Sequence, residues 1–278
     1  CLHQRDLDCG EVQRPEDDYV FTTLTLNVKS NSPYEGYTGS DQLVLRIVPP
    51  MWINMVTSFP SDGGYLEKDK EVIISTNNGL AWLISVVNGY NGCIADDMSG
   101  KTVTLTADVD MNAYIWTPIG ENGHHFKGTF DGGGAEITGL RCQLTGQEAT
   151  GMFAQVDGGV VKNTFVTSSN LIHKGNHPGH IGILVDTLTN NAVLHSCEAA
   201  GTLEVGHDKI LSMGGLVGLA DAGAKVHSSM SVSMLKGYHI GGAVGTLSDG
   251  ASLRNSFTNN VYEAKMSSDD FAGGLAYS

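Results

Sequence analysis

Cations are scarce in this chain. Sixteen lysines and arginines stand against thirty aspartates and glutamates in 278 residues, giving a net charge of −14. A surplus of that sign argues against nucleic acid and long polyanions as partners. Charged residues of either sign make up only 17%, below the roughly 25% of an ordinary soluble domain. No run of about 18 apolar residues occurs, so nothing reads as a membrane-spanning helix. Catalytic signatures are missing as well: there is no His-Glu-x-x-His, no Gly-x-Ser-x-Gly and no Cys-x-x-Cys. Ser99-Gly100-Lys101-Thr102 has the tail of a phosphate loop, but Ala95 stands where its first glycine belongs, so no nucleotide site and no cofactor are expected.

What is abundant is glycine, 36 of 278 residues, and it is periodic. A phrase typified by Met213-Gly214-Gly215-Leu216-Val217-Gly218 returns at Gly151, Gly182, Gly241 and Gly273, at intervals of 27 to 32 residues. A period in this range marks stacked units, each too small to bury its own apolar face. The apolar runs within a copy are two to four residues long, which fits short strands and not helices. A second short strand follows in each copy: Ile137-Thr138-Gly139-Leu140, Val161-Lys162-Asn163-Thr164, Leu194-His195-Ser196-Cys197, Val226-His227-Ser228-Ser229 and Leu253-Arg254-Asn255-Ser256. Its first and fourth columns are read as inward and its third, Gly, Asn, Ser, Ser, Asn, as a corner. The fold expected is all-β: a right-handed parallel β-helix (β-solenoid) with a short N-terminal capping helix and a small N-terminal β segment.

Gly-Gly-Leu-Val-Gly with the downstream aliphatic-x-Asn/Ser phrase resembles the GLUG-motif repeat of bacterial surface proteins. Thr106 to Met111, Trp116 to Gly120 and Phe126 to Gly132 resemble the segment that precedes those repeats, so the likeness spans about residues 71 to 278. It implies a cell-surface solenoid, often one part of a larger adhesin or surface protease, and transfers no catalytic residue. Two N-terminal strands, Tyr19 to Val28 and Gln42 to Val48, resemble the start of fimbrillin-like lipoproteins.

The organisation expected is a flexible tether over 1–18, a short β segment and linker over 19–68, and the solenoid over 69–278, continuing beyond the C-terminal residue given. Val72 to Ile74 should be a strand, followed by a helix over about 78–88. Asn77 or Asn78 would cap that helix, Leu80, Leu83, Ile84 and Val87 would share one face, and Asn88-Gly89 would stop it. Cys1 stands where a processed bacterial lipoprotein carries its lipid, which would put the chain on the outer surface of a Gram-negative envelope with no other route to the membrane. Of the remaining cysteines, Cys142 is placed in the column of Val166 and Ala199 and Cys197 in that of Leu140 and Ser229. Two coils apart, about 9 to 10 Å, is too far for a disulfide, so both are read as small core residues. A Cys9–Cys93 bond stays open.

Among side chains that could do chemistry, Asp96-Asp97, Asp108/Asp110 and Asp131 are read as turn and surface acids rather than glycosidase carboxylates or calcium ligands. His173, His177 and His180 are read as loop residues, so no metal is expected. The remaining candidate is the second column of the repeated strand: Thr138, Lys162, His195, His227 and Arg254. It should face solvent, and Lys162, His195, His227 and Arg254 would form a basic or titratable ladder roughly 14 Å long, suited to an anionic group on a surface glycan or an acidic peptide. The function expected is a non-enzymatic binding or structural module that meets host or microbial surface glycans or proteins. The alternatives are an accessory region of a larger surface protease and a polysaccharide lyase or hydrolase on a β-helix.

Overall fold

A computed structural model describes residues 7–8, 20–28, 40–47, 50–142, 149–173, 179–206, 210–248, 250–265 and 274–277. The chain divides into two compact units, Cys1–Pro50 and Met51–Ser278.

In the first unit Val20–Val28 and Ser40–Ile47 pair antiparallel, from Val20 opposite Ile47 to Asn27 opposite Ser40. These are the two strands legible in the sequence. A short strand, Leu7–Asp8, lies within the stretch read as a tether and pairs with Val28 and Asn27. Cys1 and Cys9 lie outside the described residues.

The second unit is a parallel β-solenoid of about six turns. Its longest sheet runs Ser252–Arg254, Lys225–His227, Val193–His195, Val160–Lys162, Thr129–Asp131, Thr102–Leu105, Glu71–Ile74 and Tyr65–Lys68. Every neighbouring pair is parallel except the last, Tyr65–Lys68 with Glu71–Ile74. A second sheet stacks Met230–Gly237, Glu198–Val205 and Phe165–His173, and a third stacks Phe153–Asp157, Val185–Thr189, Val217–Ala220 and Val244–Leu247. Successive coils put like residues in register because each coil turns its corner with the same chemistry. Asn163, Ser196, Ser228 and Asn255 all take left-handed backbone, with φ of 49°, 54°, 52° and 48°. Short polar side chains tolerate that region better than other non-glycine residues.

The residue after each corner turns inward and ties it down. Thr164 Oγ1 donates to the Lys162 carbonyl at 2.8 Å, Ser229 Oγ to that of His227 at 2.9 Å and Ser256 Oγ to that of Arg254 at 3.0 Å. The aliphatic column before the corner fills the core, Val161, Leu194 and Val226 being fully buried. The repeated glycine is needed where backbones close on each other: a Cβ on Gly214 would lie 2.1 Å from the Val217 carbonyl oxygen, and one on Gly241 1.9 Å from that of Val244. Nearer the N-terminus Phe126, Phe130 and Phe153 fill the interior, the Phe153 ring lying 5.2 Å from that of Phe126 and 5.4 Å from that of Phe130.

Helix α1 spans Trp52–Met55 and helix α2 spans Asn77–Asn88. In α2 the cap is Thr76, not Asn77 or Asn78; its Oγ1 accepts from the Gly79 N–H at 3.1 Å, satisfying one of the free donors of the first turn. Gly89 ends the helix in left-handed conformation, φ 72°. Leu80, Leu83, Ile84 and Val87 are all fully buried and share the core with Val72 and Ile74 of the first coils.

Three expectations need correction. Residues 51–68 belong to the solenoid rather than to an N-terminal module and linker: Trp52 is buried and donates to the Met111 carbonyl at 3.0 Å, and Phe59 sets its ring edge-on to Tyr65 and Trp82. Thr138 is not in the ladder column but pairs with Asp110 and Thr167 in the second sheet; the residue aligned with Lys162 is Asp131. Cys142 accordingly aligns with Leu171, not with Val166. Cys93, Cys142 and Cys197 take part in no disulfide, and the last two are buried in the core as expected.

Candidate functional site

The outward face of the longest sheet carries the candidate site. Thr104, Asp131, Lys162, His195, His227 and Arg254 occupy one column, each in direct register with the next across six strands. Alternation along a strand fixes the direction: the neighbours Val161, Leu194 and Val226 point in, so the column points out. The imidazoles of His195 and His227 stack with centroids 5.1 Å apart and planes 3° from parallel. Each Nδ1 lies beside the hydroxyl of the next residue, Ser196 at 3.3 Å and Ser228 at 3.4 Å. Arg254 is exposed at one end of the column.

Lys162 behaves differently. Its Nζ lies 3.1 Å from Asp131 Oδ2, so its charge is matched within the column. Burial raises the Asp131 carboxyl, but hydrogen bonds from Asn163 and Gly133 and the Lys162 ammonium outweigh it and hold the group below its ordinary value. Burial lowers the His195 imidazole below the ordinary histidine value, His227 and Lys162 lower it further, and Asp131 opposes them. A cation that the sequence reading passed over joins the same face. Lys225 precedes His227 by two residues on one strand, is exposed, and like Arg254 makes no ion pair among the described residues. Strand periodicity of two could have found it, had the column beside the ladder also been followed.

The other candidates serve structure. Asp96 and Asp97 accept from the Met98 and Ser99 N–H groups and pair with Lys101 and Lys127. Lys101 bridges Asp96 and Glu67 instead of facing a phosphate. Asp108 accepts from the Glu136 N–H, Asp110 from that of Asn112 and Asp131 from that of Gly133. His173 is buried with its Nδ1 2.6 Å from Thr150 Oγ1, His180 Nδ1 lies 2.7 Å from Ser212 Oγ, and His177 lies outside the described residues. Among the described residues no group of three His, Cys, Asp or Glu could hold a metal ion.

Sequence reasoning missed one buried carboxyl. Asp186 sits on the third sheet, 4% exposed, and accepts from the N–H groups of Thr150 at 2.6 Å, Gly151 at 3.1 Å and Gly182 at 2.9 Å. Burial pushes it up to about 7 against the pull of those three donors.

Fold and site together define a parallel β-solenoid with Lys162, His195, His227 and Arg254 in one outward column of its longest sheet. No family model matches the chain, and no solved structure matches it. It is similar to a protein of Evansella cellulosilytica named "Putative Gly-rich membrane protein", with 30% identity over 129 residues, 44% of this chain and 14% of that protein. The chain thus spans about a seventh of that relative's length.

Proposed function

We propose that this chain is a non-enzymatic, surface-displayed binding module of the GLUG-repeat kind, meeting glycans or proteins of host or microbial surfaces through the outward face of its longest sheet. The observation that carries the reading is the register of His195, His227 and Arg254 across three successive strands, with Lys225 beside them. Corners are tied by backbone, hydroxyl and thiol groups and the core by aliphatics, so these four outward side chains do not hold the fold. The candidate acids of the chain are spent on turns and ion pairs, which leaves a binding role favoured over a glycosidase or lyase. Membrane association, which the relative's name states of that protein, fits display at a surface. In its finer form the proposal places lipid on Cys1 and the module on the outer face of a Gram-negative envelope.

Binding of the purified chain to immobilised mammalian and bacterial surface glycans and proteins, compared with a His195→Ala/His227→Ala/Arg254→Ala variant, tests the face. Loss of binding in the variant, with unchanged circular dichroism, is expected. Equal binding would remove this face from the account. For the anchor, the natural precursor and its Cys1→Ser form should partition differently between membrane and soluble fractions; identical partition would refute it.

A further inference from the structure

Resting on that reading of the face, we infer that its ligand is a short anionic glycan, bearing sulfate or carboxylate, which Arg254 and Lys225 hold and which the stacked pair His195/His227 admits as it gains protons.

Lys162 is matched by Asp131 at 3.1 Å, so the available donors lie at the other end of the column. There Arg254 follows His227 in register and Lys225 flanks it along the strand. One guanidinium and one ammonium group beside a stacked imidazole pair make a site whose positive charge grows as pH falls, His195 taking its proton below the ordinary histidine value. The groups facing His195 are Lys162, His227 and, more remotely, Asp131; those flanking His227 on the sheet are His195, Arg254 and Lys225. Nearly all are cationic or become so. Two stacked imidazolium rings repel, and a bound anion between their edges and the Arg254 fork relieves that repulsion. Binding and protonation are therefore linked: the anion favours the protonated pair, and protons favour the bound anion.

Net charge of −14 works against this at long range, but screening limits its reach to about 8 Å at physiological salt. The only acid in the column, Asp131, is already paired. The same net charge favours a short ligand over a long polyanion, whose ends would run past the column.

Spacing favours a glycan over an acidic peptide. The side chains of the column recur at the interstrand distance, about 4.8 Å, comparable to the advance of one sugar ring along an extended glycan. Acidic side chains on one face of an extended peptide recur at about 6.7 Å and would fall out of step. Val160 and Val193, half-buried beside Lys162 and His195, give the apolar edge of a sugar ring something to rest on.

The test is a calorimetric titration of the intact chain at pH 5.5 and 7.5 with four probes: a chondroitin sulfate hexasaccharide, a sialylated oligosaccharide, neutral cellohexaose and an oligoglutamate. An anionic glycan, sulfated or sialylated, should bind about fivefold more tightly at pH 5.5 than at pH 7.5 for each histidine whose proton affinity the ligand raises by about one unit. His195→Gln/His227→Gln should abolish that pH dependence, and Arg254→Gln should weaken binding at both pH values. Equal affinity at the two pH values, or a histidine variant that keeps the dependence, overturns the inference. Cellohexaose bound as well as the anionic glycans, and lost in the Arg254 variant, overturns the anion assignment while the face survives. Oligoglutamate bound better than either glycan overturns the spacing argument. No probe bound, together with a face variant that is silent on every immobilised surface, sinks both this inference and the reading beneath it.

Discussion

The Cys197 thiol lies 3.2 Å from the His195 carbonyl oxygen, in the position from which the hydroxyl of Ser229 donates to His227 one coil on. A thiol thus serves in a ladder otherwise made of Thr164, Ser229 and Ser256, and Ser229 Oγ in turn accepts the Cys197 N–H at 3.1 Å. Burial pushes the thiol up to about 12, so it is an inert core group that donates weakly.

Cys197→Ser should therefore hold or slightly raise stability, within about 1 kcal/mol of the parent, because an O–H donor replaces a poorer one. Cys197→Val fits the space but removes the donor beneath the His195 carbonyl, and should cost about 1 kcal/mol. Urea midpoints of the two variants check this; a valine form as stable as the serine form would mean that the corner does not depend on this bond.

Asp186 gives a pH dependence whose sign follows from its environment. Its folded value, about 7, lies above the ordinary carboxyl value of 3.8, so the folded chain holds the proton more tightly than the unfolded chain. The contribution is fully present below the unfolded value and is lost as pH rises through the folded one. Urea stability should therefore decline between pH 4 and pH 8, and Asp186→Asn should remove part of the decline. Asp186→Ala, which strips the acceptor from the Thr150, Gly151 and Gly182 N–H groups, should cost at least about 2 kcal/mol at pH 5. A parent whose stability rises steadily over that range would contradict the assignment.

Asp131→Asn should increase anion binding. The amide oxygen can still accept from Asn163 and Gly133, as Asp131 does now, while Lys162 loses its partner. Affinity for a sulfated hexasaccharide at pH 7.5 should rise several-fold. An unchanged or lower affinity would mean that Lys162 does not face the ligand.

Gly214→Ala should destabilise the solenoid by about 1 to 3 kcal/mol or more, since the new methyl would overlap the Val217 carbonyl at 2.1 Å. Thermal melts decide it, and a neutral substitution would show that the coils have room to slide.

Much of this was legible because one repeat column carries one job. Corner residues with left-handed backbone announced themselves as Asn163, Ser196, Ser228 and Asn255, and the aliphatics before them fixed which side was inside. Legibility failed at the first coils. There the corresponding strand is Thr129–Asp131, followed by Gly132-Gly133-Gly134, and the motif-like Ile137-Thr138-Gly139 belongs to the next sheet of the same coil. Both phrases are an aliphatic or aromatic followed by a polar residue and glycine, so the residue pattern fits either; the spacing favours Phe130, 31 residues before Val161 against 24 for Ile137, and the mismatch in pattern residues that misplaced Thr138 also misplaced Cys142. Asp186 was invisible for another reason. In Leu184-Val185-Asp186-Thr187 it reads as an ordinary polar strand position, and only the approach of the Thr150 and Gly151 backbone turns that position into a buried one.

The account turns on the stacked pair, and proton titration of the His195 ring followed by NMR addresses it most directly. In the free chain the ring should titrate below free histidine, and a saturating sulfated hexasaccharide should raise its midpoint by about one unit, with Arg254→Gln blunting the rise. A midpoint that the glycan leaves unmoved, while the chain demonstrably binds it, would contradict the claim that this column is the site.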